Sequence, residues 1–298
     1  MENTCGSAAA RQPSRLRLFD AHLHIVDPRF PLTPNQGFVP EPFTVASYRA
    51  RTGTIHVDAP VGVAGTASGV PVEVTGGAVV SGSFQGFDDA YLRDALARLG
   101  RAFVGVAQLP AVTADGRILA LHAAGVRAVR FNLRRGGGEA LEHLEALAHR
   151  VHDLAGWHVE LYVGGADLAG LEARLARLPQ VVVDHLGLPD ERCGGLDGEG
   201  FAALLRLVEG GAKVKATGFG RQASTVDVAE ALRRIARVDP GALLFGTDLP
   251  STRTPRPFTD ADVALARDTL EAAFGEDAVR RALHDNAVAL YRPVSTAA

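Results

Sequence analysis

From residue 78 onward, short apolar runs alternate with amphipathic stretches, and this alternation limits the fold more than any other feature of the chain. The runs fall at 78–81, 102–109, 126–133, 157–163, 180–185, 212–217 and 242–247. Helical patterns follow them at 88–99, 113–124, 139–155, 167–177, 200–209, 225–237, and 260–274 with 277–290. An earlier strand, 17–25, precedes a helical stretch that starts near Phe43 and carries Tyr48. The runs are short and apolar throughout, as strands covered on both faces are. Eight such β/α units predict an α/β protein of the closed (β/α)8 TIM-barrel type. A doubly wound open sheet would leave two strand edges. It usually also carries a glycine-rich phosphate turn after its first strand. Here that place is held by His22-Leu23-His24.

The 298 residues suffice for one barrel, with 47% hydrophobic and 22% charged side chains. A formal net charge of −3 gives no reason to expect nucleic acid or an anionic membrane as a partner. Residues 1–15 are small and polar, without the apolar stretch of a secretory signal, and are expected to be a disordered tail. No run of about 18 apolar residues is present. The two cysteines, Cys5 and Cys193, fall in the tail and in a loop, so no disulfide framework is expected and the compartment should be reducing, hence cytoplasmic. The expected organisation is one barrel over 16–293, with an insertion at 52–75 and a short tail at 294–298. The loop from Val26 to Pro42 is long and proline-rich, which marks it as functional or a lid.

In a barrel of this kind the chemistry sits where strands end. His22 and His24, two residues apart on a strand, face the same way, and two imidazoles there can hold a metal or grip a carbonyl oxygen. The other strand ends supply Ser81, Ser83, Gln85, Gln108, Arg130, Asn132, Tyr162, Asp184, His185, Thr217, Arg221, Thr247 and Asp248. Strand ends are commonly polar; here His, Asp and Arg are concentrated among them.

These motifs together resemble the amidohydrolase superfamily, and most closely its branch of 2-pyrone-4,6-dicarboxylate lactonases and similar enzymes. The likeness rests on Phe19-Asp20-Ala21-His22-Leu23-His24, on Gly125 to Asn132, on Gly156 to Leu161, on Val183-Asp184-His185-Leu186-Gly187, and on Phe245-Gly246-Thr247-Asp248-Leu249-Pro250. Asn286-Ala287 and Leu290-Tyr291 resemble the family's last helix. The resemblance implies that Asp248 activates water while His22, His24 and His185 surround the scissile carbonyl oxygen. The rings either donate hydrogen bonds there or hold, with Asp248, a single divalent ion such as zinc or manganese. It further implies that Arg130, Arg135 and Arg221 grip substrate carboxylates, with Ser83 and Tyr162 as further donors. Arg253 and Arg256 lie on the last loop and could reach the same mouth.

Two departures bear on metal. The superfamily's binuclear members use a carboxylated lysine on strand four, but the only lysines here are Lys213 and Lys215, on strand seven. Mononuclear members usually add a histidine on strand five, where this chain has Tyr162. The expectation is therefore a weak or absent metal requirement. Around the family's strand-two and strand-eight motifs, Gly86-Phe87-Asp88-Asp89 and Asp248-Leu249-Pro250-Ser251 depart from the pyrone lactonase pattern, so that substrate is not transferred. The expected activity is opening of a lactone of a small carboxylated compound, with a homo-oligomer left open. A metal-dependent decarboxylase of an aromatic or muconate-type acid is the alternative, and a silent ligand-binding barrel a third.

Overall fold

Valine, alanine and leucine dominate the strands because each strand packs side chains on both of its faces. The computed structural model describes residues 15–58, 69–222 and 227–292. The barrel strands are β1 (Leu16–Leu23), β3 (Val70–Val80), β4 (Phe103–Ala107), β5 (Val126–Asn132), β6 (His158–Tyr162), β7 (Val181–Val183), β8 (Lys213–Ala216) and β9 (Leu243–Phe245). They pair in that order, and every neighbouring pair is parallel. A two-residue strand, β2 (His56–Val57), pairs antiparallel with the start of β3.

Closure is made by backbone just beyond β9. His24 N donates to Leu249 O at 2.8 Å, and Asp248 N donates to His22 O at 2.8 Å. The result is a nearly closed cylinder of eight parallel strands with helices between them, the (β/α)8 barrel expected from the alternation. The helices are α1 (Val45–Thr52), α2 (Ala90–Leu99), α3 (Asp115–Ala123), α4 (Leu144–Ala155), α5 (Gly165–Leu175), α6 (Glu199–Glu209), α7 (Val228–Val238) and α8 (Asp260–Phe274). Their apolar faces, with the outward sides of the strands, form the larger core. A smaller inner core of Phe19, Ala21, Ala78, Val80, Val104, Val106, Ala128, Val182 and Leu244 fills the cylinder.

The chain ends in α9 (Glu276–Arg280), a single π turn at Arg281–Asp285, and α10 (Asn286–Tyr291). This differs from the uninterrupted 277–290 helix expected from the periodicity. The π turn is one extra residue's worth of backbone, which a side-chain pattern does not register. It leaves Asn286 donating to Leu243 O at 3.0 Å and sends Tyr291 into the inner core, fully buried and stacked on Phe19 with ring centroids 5.7 Å apart.

The strand expected at 78–81 reaches back to Val70, and its first half pairs with β1 from Leu16↔Val72 onward. The sequence suggests one or two short strands within 52–77, including Val70–Val74, and Gly76-Gly77, poor strand formers, separate that piece from the run at 78–81. Gly76 and Gly77 lie where β1 and β4 approach too closely for side chains: a Cβ on Gly76 would come 2.3 Å from Ala102 O. The expected tails, Cys5 and much of the expected insertion fall outside the described residues; Cys193 is exposed and unpaired with another cysteine. No helix among the described residues is long and apolar enough to cross a membrane.

Candidate active site

The site forms where β1 meets the backbone after β9. Asp20 ties the two together. Its carboxylate accepts from Thr247 N at 2.8 Å, from Thr247 Oγ1 at 2.7 Å and from Tyr48 Oη at 3.0 Å. Burial pushes its pKa up to about 6, against the lowering pull of these donors. Gly246 permits the approach, because a Cβ there would lie 2.6 Å from His22 N.

Two residues further along β1, His22 and His24 present Nε2 atoms 3.3 Å apart. His24 Nδ1 donates to the Val80 carbonyl at 2.7 Å. Asp248 faces this pair from a left-handed backbone (φ 57°) that few non-glycine residues adopt. Its Oδ1 lies 3.7 Å from each Nε2 and has no hydrogen-bond partner, while its Oδ2 accepts from Arg221 Nε at 2.6 Å. His185, also left-handed (φ 53°), packs its ring 4.9 Å from that of His22 and pairs Nδ1 with Thr217 Oγ1 at 2.8 Å. Gly218, itself at φ 60°, passes so close that a Cβ would meet His185 Nδ1 at 2.8 Å and Arg221 Cδ at 2.9 Å.

The electrostatics follow from burial and pairing. Burial alone would raise the Asp248 carboxyl, but the adjacent Arg221 guanidinium, together with the His185, His24 and His22 rings, outweighs it and holds the group well below its ordinary value. Asp248 is thus an ionised carboxylate. Burial lowers His185 to about 3. Burial, reinforced by the Lys215 ammonium, lowers His22 well below the ordinary histidine value.

Beneath the imidazoles lies a charged layer inside the cylinder. Arg130 donates to Asp184 Oδ2 at 2.7 Å and to Ser81 O at 2.8 Å. Lys215, fully buried, donates to Glu160 Oε2 at 2.5 Å and stands 3.2 Å from His22 Nδ1 and 3.7 Å from Asp184 Oδ1. Tyr291 Oη donates to Glu160 Oε1 at 2.5 Å. With Arg221 on Asp248, the cations Arg130, Lys215 and Arg221 match the carboxylates Asp184, Glu160 and Asp248.

Above the imidazoles is a pocket lined by His24, His185, Arg130, Arg221, Ser83, Tyr162, Arg135 and Arg253, with Phe38 and Asn132 beside them. Tyr162 meets His185 edge-on at 5.1 Å and carries the Arg130 guanidinium 5.4 Å above its ring. Arg253 stacks 4.5 Å over Phe38 and donates to Asn35 Oδ1 at 3.0 Å. Phe38 and Asn35 belong to the long loop after β1, which therefore forms part of the pocket wall.

All four residues expected to do chemistry, and all five expected to bind substrate, fall in or beside this one pocket. Arg130 and Arg221 do so with donors already committed to Asp184 and Asp248. Arg256, by contrast, spends its fork on Asp262. Sequence reasoning used Lys215 only to exclude a bridged metal pair and gave Glu160 no role. The available signal was alternation: in Lys213-Val214-Lys215-Ala216, Lys215 must point inward if Val214 packs outward against the helices.

His22 Nε2, His24 Nε2 and Asp248 Oδ1 are separated by distances close to the roughly 3.4 Å between ligands of a tetrahedral ion with bonds of about 2.1 Å. The orphaned Asp248 oxygen completes a chemically suitable donor set, so the residues fit a single divalent ion.

A fold of this type with histidines on the first strand and an aspartate after the last defines a barrel hydrolase. The amidohydrolase family model matches residues 19–292, and the chain belongs to that family. It is 30% identical over 293 residues to the 2-pyrone-4,6-dicarboxylate hydrolase of Comamonas testosteroni, covering 92% of this chain and 90% of that one. It is 32% identical over 210 residues to the D-galactarolactone isomerase of Agrobacterium fabrum, covering 66% and 69%. A solved apo structure from Agrobacterium tumefaciens superposes with a TM-score of 0.76 at 27% identity, covering 95% of this chain and 99% of that one.

Proposed function

We propose that the protein hydrolyses a lactone of a small carboxylated compound. The observation that carries this is the Asp248 carboxylate, ionised and with one oxygen unpartnered, 3.7 Å from His22 and from His24, which lines an arginine-rich pocket. Relatives named as a pyrone dicarboxylate hydrolase and a galactarolactone isomerase, the first named for a dicarboxylate and the second for a lactone, support the same substrate class.

Asp248 Oδ1 accepts a proton from water as the water oxygen attacks the lactone carbonyl. Charge developing on the carbonyl oxygen falls beside the imidazoles, where a ring N–H of His22 or His185 stabilises it. As the tetrahedral intermediate collapses, the ring C–O bond breaks, and the proton held by Asp248 passes to the departing alkoxide. Arg221 keeps Asp248 ionised between turnovers and prevents its carboxylate from rotating out of line. Arg135, whose backbone N–H is held by Asn132 Oδ1 at 3.0 Å, and Arg253 stand at the pocket wall where a substrate carboxylate would sit. A divalent ion held by His22, His24 and Asp248 would polarise the carbonyl as a Lewis acid.

The test is a hydrolysis panel of carboxylated five- and six-membered lactones, run with metal-free protein and again with zinc or manganese. Ring opening in either arm is the expected result. No turnover of any lactone, with carbon dioxide released from hydroxybenzoates or muconates instead, would replace this proposal by the decarboxylase alternative.

A further inference from the structure

The hydrogen inventory of the paired imidazoles gives them different jobs. A neutral imidazole carries one ring hydrogen, so one nitrogen donates and the other accepts. His24 Nδ1 faces the Val80 carbonyl at 2.7 Å, which only accepts, so the His24 hydrogen sits on Nδ1 and its Nε2 is a lone pair. The neighbour of that lone pair at 3.3 Å is His22 Nε2, and with no ion between them two facing lone pairs are avoided when that atom carries the His22 hydrogen. His22 Nδ1 is then a lone pair, and the group beside it that can donate is the Lys215 ammonium at 3.2 Å. Asp184 Oδ1, 3.4 Å from the same nitrogen, would demand the opposite tautomer and is left without a hydrogen-bond partner. The chain of donors runs one way: Lys215 to His22, His22 to His24, His24 to Val80.

We infer that Lys215 is a positioning residue that holds His22 in the Nε2–H tautomer, making it a hydrogen-bond donor towards the reacting oxygen and denying that nitrogen to a metal ion. His24, on the same count, is an acceptor that can orient the attacking water beside Asp248. Charge balance acts in the same direction. Lys215 and Arg221 already place positive charge on either side of the donor set, and each carboxylate of the layer already has its cation. An added divalent ion would meet this field as an excess of positive charge. Removing Lys215 reverses both effects: His22 Nδ1–H then pairs with Asp184, and two Nε2 lone pairs and Asp248 Oδ1 face one another across a space the size of a metal ion.

This inference rests on the hydrolytic role proposed for the site, but its test requires no substrate. Long-range 1H–15N correlation on histidine-labelled, chelator-treated protein reads the His22 tautomer, assigned by the loss of its signals in His22→Gln. Wild type is expected in the Nε2–H form and Lys215→Met in the Nδ1–H form. Zinc titration against a competing chelator should show Lys215→Met binding at least tenfold tighter than wild type, with Lys215→Arg restoring wild-type behaviour. If Lys215→Met fails to fold, Glu160→Gln/Lys215→Met removes both members of the buried pair and serves in its place. An Nδ1–H tautomer in wild type, or zinc affinity unchanged on losing Lys215, overturns the inference. The tautomer found as expected in a protein that opens no lactone would instead overturn the proposed function alone.

Discussion

Arg221 Nε meets Asp248 Oδ2 at 2.6 Å, and that single contact divides the aspartate into two oxygens with different tasks. Oδ2 is anchored to a cation that is itself nearly buried, and Oδ1 is turned, unpartnered, towards His22 and His24. A buried carboxylate without such a partner would take up a proton and cease to be a base.

Replacing Asp248 with Asn keeps the shape and removes the base. Turnover of whatever lactone the panel identifies is expected to fall by about 10²–10⁴-fold, the usual worth of a general base. The fold should persist, with a lowered melting temperature because Arg221 loses its buried counter-charge. Steady-state rates alongside thermal melts check this, and unchanged kcat would remove Asp248 from the mechanism.

Arg221→Met removes the cation that opposes burial at Asp248, so the carboxyl moves up. A raised carboxyl is protonated at the acid end of the working range, where it cannot accept a proton. Loss of kcat/KM is therefore expected to be largest at low pH and partly recovered as pH rises. A pH–rate profile of the variant should show an acid limb displaced upward from that of wild type.

His185 makes folding stability fall with acid. Its pKa in the fold is about 3, against an ordinary value of 6.5, because burial disfavours the charged ring. Between those values the unfolded chain binds a proton that the native state does not. The contribution is present in full above pH 6.5 and is lost as pH falls towards 3, at up to about 1.4 kcal/mol per pH unit. Urea unfolding at pH 7, 6 and 5 should show this slope, and His185→Gln should reduce it, leaving the part due to His22.

Arg135→Met tests recognition apart from chemistry. A charge-assisted contact to a substrate carboxylate is worth about 1.5–3 kcal/mol, so KM should rise roughly 10- to 100-fold while kcat changes little. A fall confined to kcat would place Arg135 at the reacting centre instead of the pocket wall.

Much of the architecture was legible because burial on both faces writes itself into a strand as a compact apolar run. The runs at 126–133 and 157–163 therefore coincide with β5 and β6 to within a residue at each end. β3 was legible as two separate pieces, a short strand around Val70–Val74 and the apolar run from Ala78. Thr75-Gly76-Gly77 interrupts the pattern between them, and the pieces form one strand by pairing with β1, which no local pattern displays. Likewise, His22, His24, His185 and Asp248 could be singled out as strand-end residues in family-like motifs. The left-handed backbone at His185 and Asp248, which sets the direction of those side chains, has no counterpart in composition or periodicity.

The order of residues alone determined the eight-fold β/α alternation and the ends of strands at which polar groups collect. Both are local consequences of side-chain periodicity and of which faces must be dry. Only the closed cylinder decided which charges meet: Arg130 with Asp184 at a separation of 54 residues, Tyr291 with Glu160 at 131, and Lys215 with His22 at 193. Those pairings depend on strand tilt and register around a barrel, and they assign each buried group its partner and each imidazole its hydrogen.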